Sequence, residues 1–186
     1  MAATAYYQLE VAARTLLSGV EGGSGEAPSE ADTTLAAIIL MALLEKPPSE
    51  WTSPLELARR ANDGASAGDA HYTAFDVCAS LERIAAAVDA RRRPTAARGD
   101  EVFYRATRDG IRDAALSILA RRRLKLCKTI GLEGDCYDFA REAQDRLLAN
   151  SPIGTDTSPQ HAHLIAQMRA IGDDERLLKA WPSDDD

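Results

Sequence analysis

Cysteine is scarce in this sequence. Three residues, Cys78, Cys127 and Cys136, in a chain of 186 are too few and too scattered for a disulfide framework or a cysteine-rich zinc site. A reduced, cytoplasmic setting is the expectation. Long hydrophobic runs are also missing. The longest, Leu35 to Leu44, reaches half a membrane span and reads as a buried core helix. The first residues, Met1 to Tyr7, lack the basic start and apolar stretch of a signal peptide. Aromatic residues make up only 5%. Ala and Leu therefore carry the apolar content, which favours helices because these side chains lose little entropy there. Positive charge is in deficit, with a net charge of −7 and an isoelectric point near 5.0. That excludes a protein that coats nucleic acid by bulk charge and leaves room for a local basic patch.

Catalytic signatures are absent too. There is no P-loop, no glycine-rich dinucleotide turn after a strand, no Gly-x-Ser-x-Gly elbow and no His-Glu-x-x-His. The reading is of a protein that is not an enzyme and takes no cofactor. His161 and His163 would point about 200° apart on a helix, with no carboxylate or cysteine at a supporting spacing, so no metal site is expected.

The chain does hold strong helical periodicity. Thr4 to Gly19 reads as a helix with Leu9, Ala13, Leu16 and Val20 on one stripe. Glu21 to Glu30 has the composition of a flexible linker. Asp32 or Thr33 can cap a helix reaching about Lys46, apolar almost all round and stopped by Pro47 and Pro48. Thr52 or Ser53 caps a short helix with Pro54 at its first position, ended by Asn62-Asp63-Gly64. A small, polar loop spans Ala65 to Gly68. A longer helix is expected over 70–87, with Val77, Leu81, Ile84 and Val88 as its buried stripe. Then come the basic run Arg91-Arg92-Arg93 and a turn-rich stretch to Asp100. Glu101 to Thr107 is the one clear strand candidate, rich in β-formers. Thr107 or Asp109 opens a helix reaching Leu126 or Lys128, with Ile111, Ala115, Ile118 and Leu119 on one face. Further helices are expected at Asp135 to Asn150, His161 to Ile171 and Asp174 to Ala180. Asp184 to Asp186 reads as a solvated tail.

Three helices, a basic hairpin, then a helix is the order of a winged helix-turn-helix. Val77-Cys78-Ala79-Ser80-Leu81-Glu82-Arg83-Ile84 resembles the end of a recognition helix in the MarR and PadR families of winged-helix regulators. Arg91-Arg92-Arg93 followed by Val102-Phe103-Tyr104-Arg105-Ala106-Thr107-Arg108-Asp109-Gly110 resembles their wing, final strand and the entry to a long dimerisation helix. The resemblance covers about Asp32 to Arg122. It implies a mainly α fold: a winged helix-turn-helix core of three helices plus a β-hairpin wing, with N- and C-terminal helices as dimerisation arms. The corresponding division is a helix and linker over 1–31, a winged-helix domain over 32–110 and a helical dimerisation region over 111–186.

The same resemblance implies a homodimer on double-stranded DNA, acting as a transcriptional regulator at a palindromic operator. Thr73, Ala74, Asp76, Cys78 and Ala79 would face the major groove. His71 stands at the start of that helix. Arg91, Arg92, Arg93 and Arg98 would contact phosphates or the minor groove, and Thr52 and Ser53 could bind a phosphate through their amides. Between Trp51 and Lys128 there are 15 basic and 10 acidic residues, so positive charge concentrates in this region. Asp76, Cys78 and Ala79 stand where such families often carry Ser, Thr, Arg or Gln. Asp76 and Ala79 favour the alternative, a winged-helix adaptor whose partner is a protein.

Overall fold

The computed structural model describes residues 2–19, 28–63, 71–95, 99–129 and 159–184. Among them the chain is mainly helical, with one two-stranded antiparallel sheet. The helices are α1 (Ala2–Ser18), α2 (Glu30–Leu44), α3 (Pro54–Ala61), α4 (Ala74–Arg83), α5 (Arg108–Thr129) and α6 (Pro159–Lys179). A single 3-10 turn, Ala85–Ala87, follows α4 and leads into β1 (Asp89–Thr95) and β2 (Gly99–Arg105). The chain divides into two compact units, residues 1–115 with 178–186, and residues 116–177.

In the first unit α2 is the central element. Leu35, Ala36, Ala37, Ile39, Leu40, Ala42 and Leu43 are all buried, as a helix apolar on most sides requires. Ser29 caps it by accepting a hydrogen bond from the Asp32 amide at 3.1 Å, so the helix starts earlier than Asp32 or Thr33 would place it. Asp32 instead pairs with Arg83 at the end of α4, 3.1 Å away. Helix α1 packs against α2 with Leu9, Ala12, Ala13, Leu16 and Leu17 buried. Leu57 and Ala58 of α3, Val77 and Leu81 of α4, Ile84, and Ile111 and Ala115 of α5 are buried as well.

The helix expected over 70–87 is shorter than its apolar stripe suggested. Thr73 caps it, and after Arg83 the backbone tightens into the 3-10 turn. The basic stretch after it forms β1, a segment of low strand propensity ordered by its partner β2. Pro94 is tolerated there because β1 is an edge strand, whose outer side needs no donor. At the start of α5, Thr107 accepts from the Gly110 amide at 3.1 Å. A side chain on Gly110 would sit 2.9 Å from that same hydroxyl, which explains a glycine inside a helix. Near the chain end Asp184 remains exposed yet is tied to α5, and Asp185 and Asp186 lie outside the described residues. Asp184 accepts from the Asp109 amide at 3.2 Å, Ser183 donates to the Asp109 carboxylate at 2.8 Å, and Trp181 is buried.

In the second unit Ile118, Leu119, Met168 and Ile171 are buried, and Arg123 holds the buried Glu175 at 3.0 Å. The two closing helices expected over 161–171 and 174–180 are one continuous helix. Gly172 is accommodated in mid-helix with nothing near the place of a side chain. Val20, most of the linker, the Ala65 to Gly68 loop and the helix expected at Asp135 to Asn150 lie outside the described residues. Among the described residues no helix is long and apolar enough to cross a membrane.

Replacing Leu40 by Ala should destabilise the protein by about 2–5 kcal/mol through the cavity left in α2. The same change at the exposed Leu55 should shift stability by no more than about 0.5 kcal/mol. Denaturant unfolding of both variants checks this, and equal losses would displace α2 from the centre of the core.

Candidate nucleic-acid interface

The hairpin is built on an isolated bridge to the segment before α3. Thr52 donates to the Tyr104 carbonyl at 2.8 Å, and Tyr104 donates back at 2.9 Å. Thr52 is therefore removed from the phosphate-binding candidates, because its amide is consumed and the residue is buried. Ser53 caps α3 through its hydroxyl, which accepts from the Glu56 amide at 3.3 Å.

Pairing within the hairpin divides the arginine run. Residues directly opposite across an antiparallel pair share a face, and neighbours along a strand alternate. Asp89 opposes Arg105, Arg91 opposes Phe103, and Arg92 opposes Val102. Arg91 and Arg93 thus share a face with Phe103 and Arg105, and Arg92 takes the other. All three run arginines are exposed. On the first face the cations lie over rings. Arg93 is 5.1 Å from the Phe103 centroid, and Arg105 and Arg91 are 4.7 and 6.0 Å from Trp51. Such stacking is favourable because the ring face is electron-rich. Arg105 is further tied to Asp89 at 2.9 Å and to the Pro48 carbonyl at 3.2 Å, which makes it the anchor of this face.

The second face looks toward α4. Burial pushes the Tyr104 phenol up, Cys78 and Glu82 add to the effect, and Arg92 opposes it. Tyr104 thus lies within electrostatic reach of Cys78 and Glu82 of α4 and of Arg92. Burial also raises the Cys78 thiol, with Glu82 contributing, so it stays protonated and is a poor nucleophile.

Helix α4 turns its candidates in different directions. A helix advances about 100° per residue, so Phe75, Ala79 and Glu82 form a ridge opposite the buried Val77 and Leu81. All three are exposed, Phe75 by 80%. Of the groove-facing candidates only Ala79 lies on this ridge. Ala74, Asp76 and Cys78 flank it and are half-buried. Thr73 and Asp76 are engaged with each other. The Thr73 amide and hydroxyl both donate to Asp76 Oδ2 at 2.7 Å, and the Asp76 amide donates to Thr73 Oγ1 at 3.2 Å. This reciprocal cap satisfies the first turn and explains an aspartate where a base-reading residue was expected. His71 is exposed just ahead of the cap, and Asn62 makes two hydrogen bonds to the Tyr72 backbone, each 2.8 Å. Arg98 and Cys136 lie outside the described residues.

Sequence reasoning missed Phe75, Trp51, Glu82 and Arg105. Phe75 was detectable, because a residue two places before Val77 on the same helix must point away from the core. Trp51 was not, since its stacking depends on a bridge between segments far apart in the chain. No protein-family model matches this chain, and no curated protein is found similar to it.

The Thr73 hydrogen bonds hold the Asp76 carboxyl below its usual value of 3.8. A depressed carboxylate stabilises the fold above its unfolded value, and that contribution is lost as pH falls through the folded one. The stability gap between wild type and Asp76→Ala should be constant above about pH 5 and shrink below 3.8. Denaturant titrations at stepped pH measure it, and a gap unchanged down to pH 2 would contradict the cap.

Proposed function

We propose that this chain is a DNA-binding transcriptional regulator of winged-helix type, resembling the MarR and PadR regulators in its order of elements. The carrying observation is the exposed Arg91-Arg92-Arg93 strand, pinned to the helices through Thr52 and Tyr104, beside the outward ridge of α4. In this reading α2, α3 and α4 form the three-helix core, and the β1–β2 hairpin is the wing. Helix α4 enters the major groove of duplex DNA.

The divided arginine run gives the wing two charged faces. Arg92 approaches phosphates beside α4. Arg91 and Arg93 serve the opposite face, held at the ready by Phe103 and Trp51. Arg59 of α3, exposed and without an ion pair among the described residues, is a further phosphate contact. Arginine suits the task because its planar fork matches phosphate oxygens. A homodimer would present two such helices to a palindromic operator, with Tyr6 and Tyr7 of α1, 40% and 54% exposed, as anchors between copies.

A second reading has its own support. The ridge of α4 carries an exposed phenyl ring and a carboxylate but no cation, as expected of an adaptor that docks on a protein.

Capture of genomic fragments by the purified protein, at two salt concentrations, separates the two. The regulator should enrich a palindromic site that weakens steeply as salt rises, because contacted phosphates release counterions. Each arginine contact removed should flatten the slope of log affinity against log salt by about 0.9. Arg92→Ala with Arg93→Ala should therefore lower both affinity and slope. No enrichment at either salt would leave the adaptor, with binding partners sought by co-purification.

A further inference from the structure

We infer that α4 reads thymine through Phe75, using the C5-methyl groups that line the major groove. The inference rests on the DNA-binding reading above and names what the helix recognises.

Phe75 is 80% exposed, more than Tyr6, Tyr7, Leu55 or Leu124, the other large apolar side chains that reach solvent among the described residues. It sits in the first turn of α4, the end that base-contacting helices present to the groove. Nothing in the fold gains from a phenyl ring held in water there.

The chemistry of the ridge narrows what it can read. Purines are distinguished chiefly by paired donor contacts, Arg or Lys to guanine and Asn or Gln to adenine. Phe75, Ala79 and Glu82 include none of these. Asp76, the polar side chain nearest the helix start, is taken up by both the amide and the hydroxyl of Thr73. The ridge can therefore make two kinds of base contact. Phe75 and Ala79 offer apolar surface to the thymine methyl, and Glu82 accepts from the cytosine N4 amino group. Both are pyrimidine features.

Glu82 alone would repel the duplex. Arg92, on the sheet face that carries Tyr104, adds exposed positive charge on that side of the hairpin. The exposed arginines beside the ridge are also what distinguishes a polyanion from a protein as its occupant.

Replacing thymine by deoxyuridine in the captured duplex removes the methyl and nothing else. Affinity of the unaltered protein should fall about fourfold for each thymine that Phe75 covers, the worth of one buried methyl. Phe75→Ala should weaken binding to the thymine duplex and abolish the deoxyuridine penalty. Its thermal unfolding should match wild type, because the ring lies outside the core. A captured site whose affinity is unchanged by deoxyuridine would overturn the inference and leave the regulator standing. So would a penalty of equal size in Phe75→Ala. Failure to capture any duplex would overturn both, and the ridge would then belong to a protein partner.

Discussion

Two backbone hydrogen bonds between Thr52 and Tyr104 decide most of what the surface of this protein can do. A two-stranded hairpin alone in water is marginal. Here its inner strand is joined to the segment leading into α3, so the hairpin inherits the rigidity of the helical core. The bridge also sets orientation. With Thr52 paired to Tyr104, the preceding Trp51 falls on the opposite face, beneath Arg91 and Arg105. Tyr104 is left beside Cys78 and Glu82 of α4. One local contact thus assigns an aromatic and cationic character to one face of the sheet and couples the other face to a helix.

From that assignment follows the split of the arginine run. Three consecutive cations suggest a single basic patch, yet a strand cannot present neighbours to the same side. Arg91 and Arg93 are organised by rings, and Arg92 takes the face of the sheet that carries Tyr104. Stacking already restricts the guanidinium groups of the first pair. The single arginine moderates the field beside α4. A chain with a net charge of −7 can keep a cationic surface only by such concentration, and the hairpin is where it occurs.

The start of α4 follows the same logic of polar groups that must find partners. Thr73 and Asp76 satisfy the first turn, so neither is left over for a base. What remains outward is Phe75, Ala79 and Glu82, a ridge defined as much by the polar groups withdrawn from it as by those that form it. The outward surface of α4 is thus apolar and acidic, and the exposed arginines lie on the hairpin instead.

Much of the helical framework was legible in the order of residues. The apolar stripes of α1, α2 and α5, the Pro54 start of α3 and the Thr107 entry to α5 are local signals, each written within a few turns of chain. The strand β2 was legible for the same reason, through its β-forming residues. Helix ends were less so. Ser29 rather than Asp32 caps α2, Asp32 reaches Arg83 far along the chain, and Gly172 does not interrupt α6. The site was read least well. Sequence spacing placed basic residues near a helix but could not divide Arg92 from Arg91 and Arg93, bury Thr52 or set Trp51 beneath two guanidinium groups. Those outcomes depend on strand register and on a bridge across more than fifty residues. Periodicity is carried by neighbours along the chain, whereas register and stacking are set only when distant segments meet.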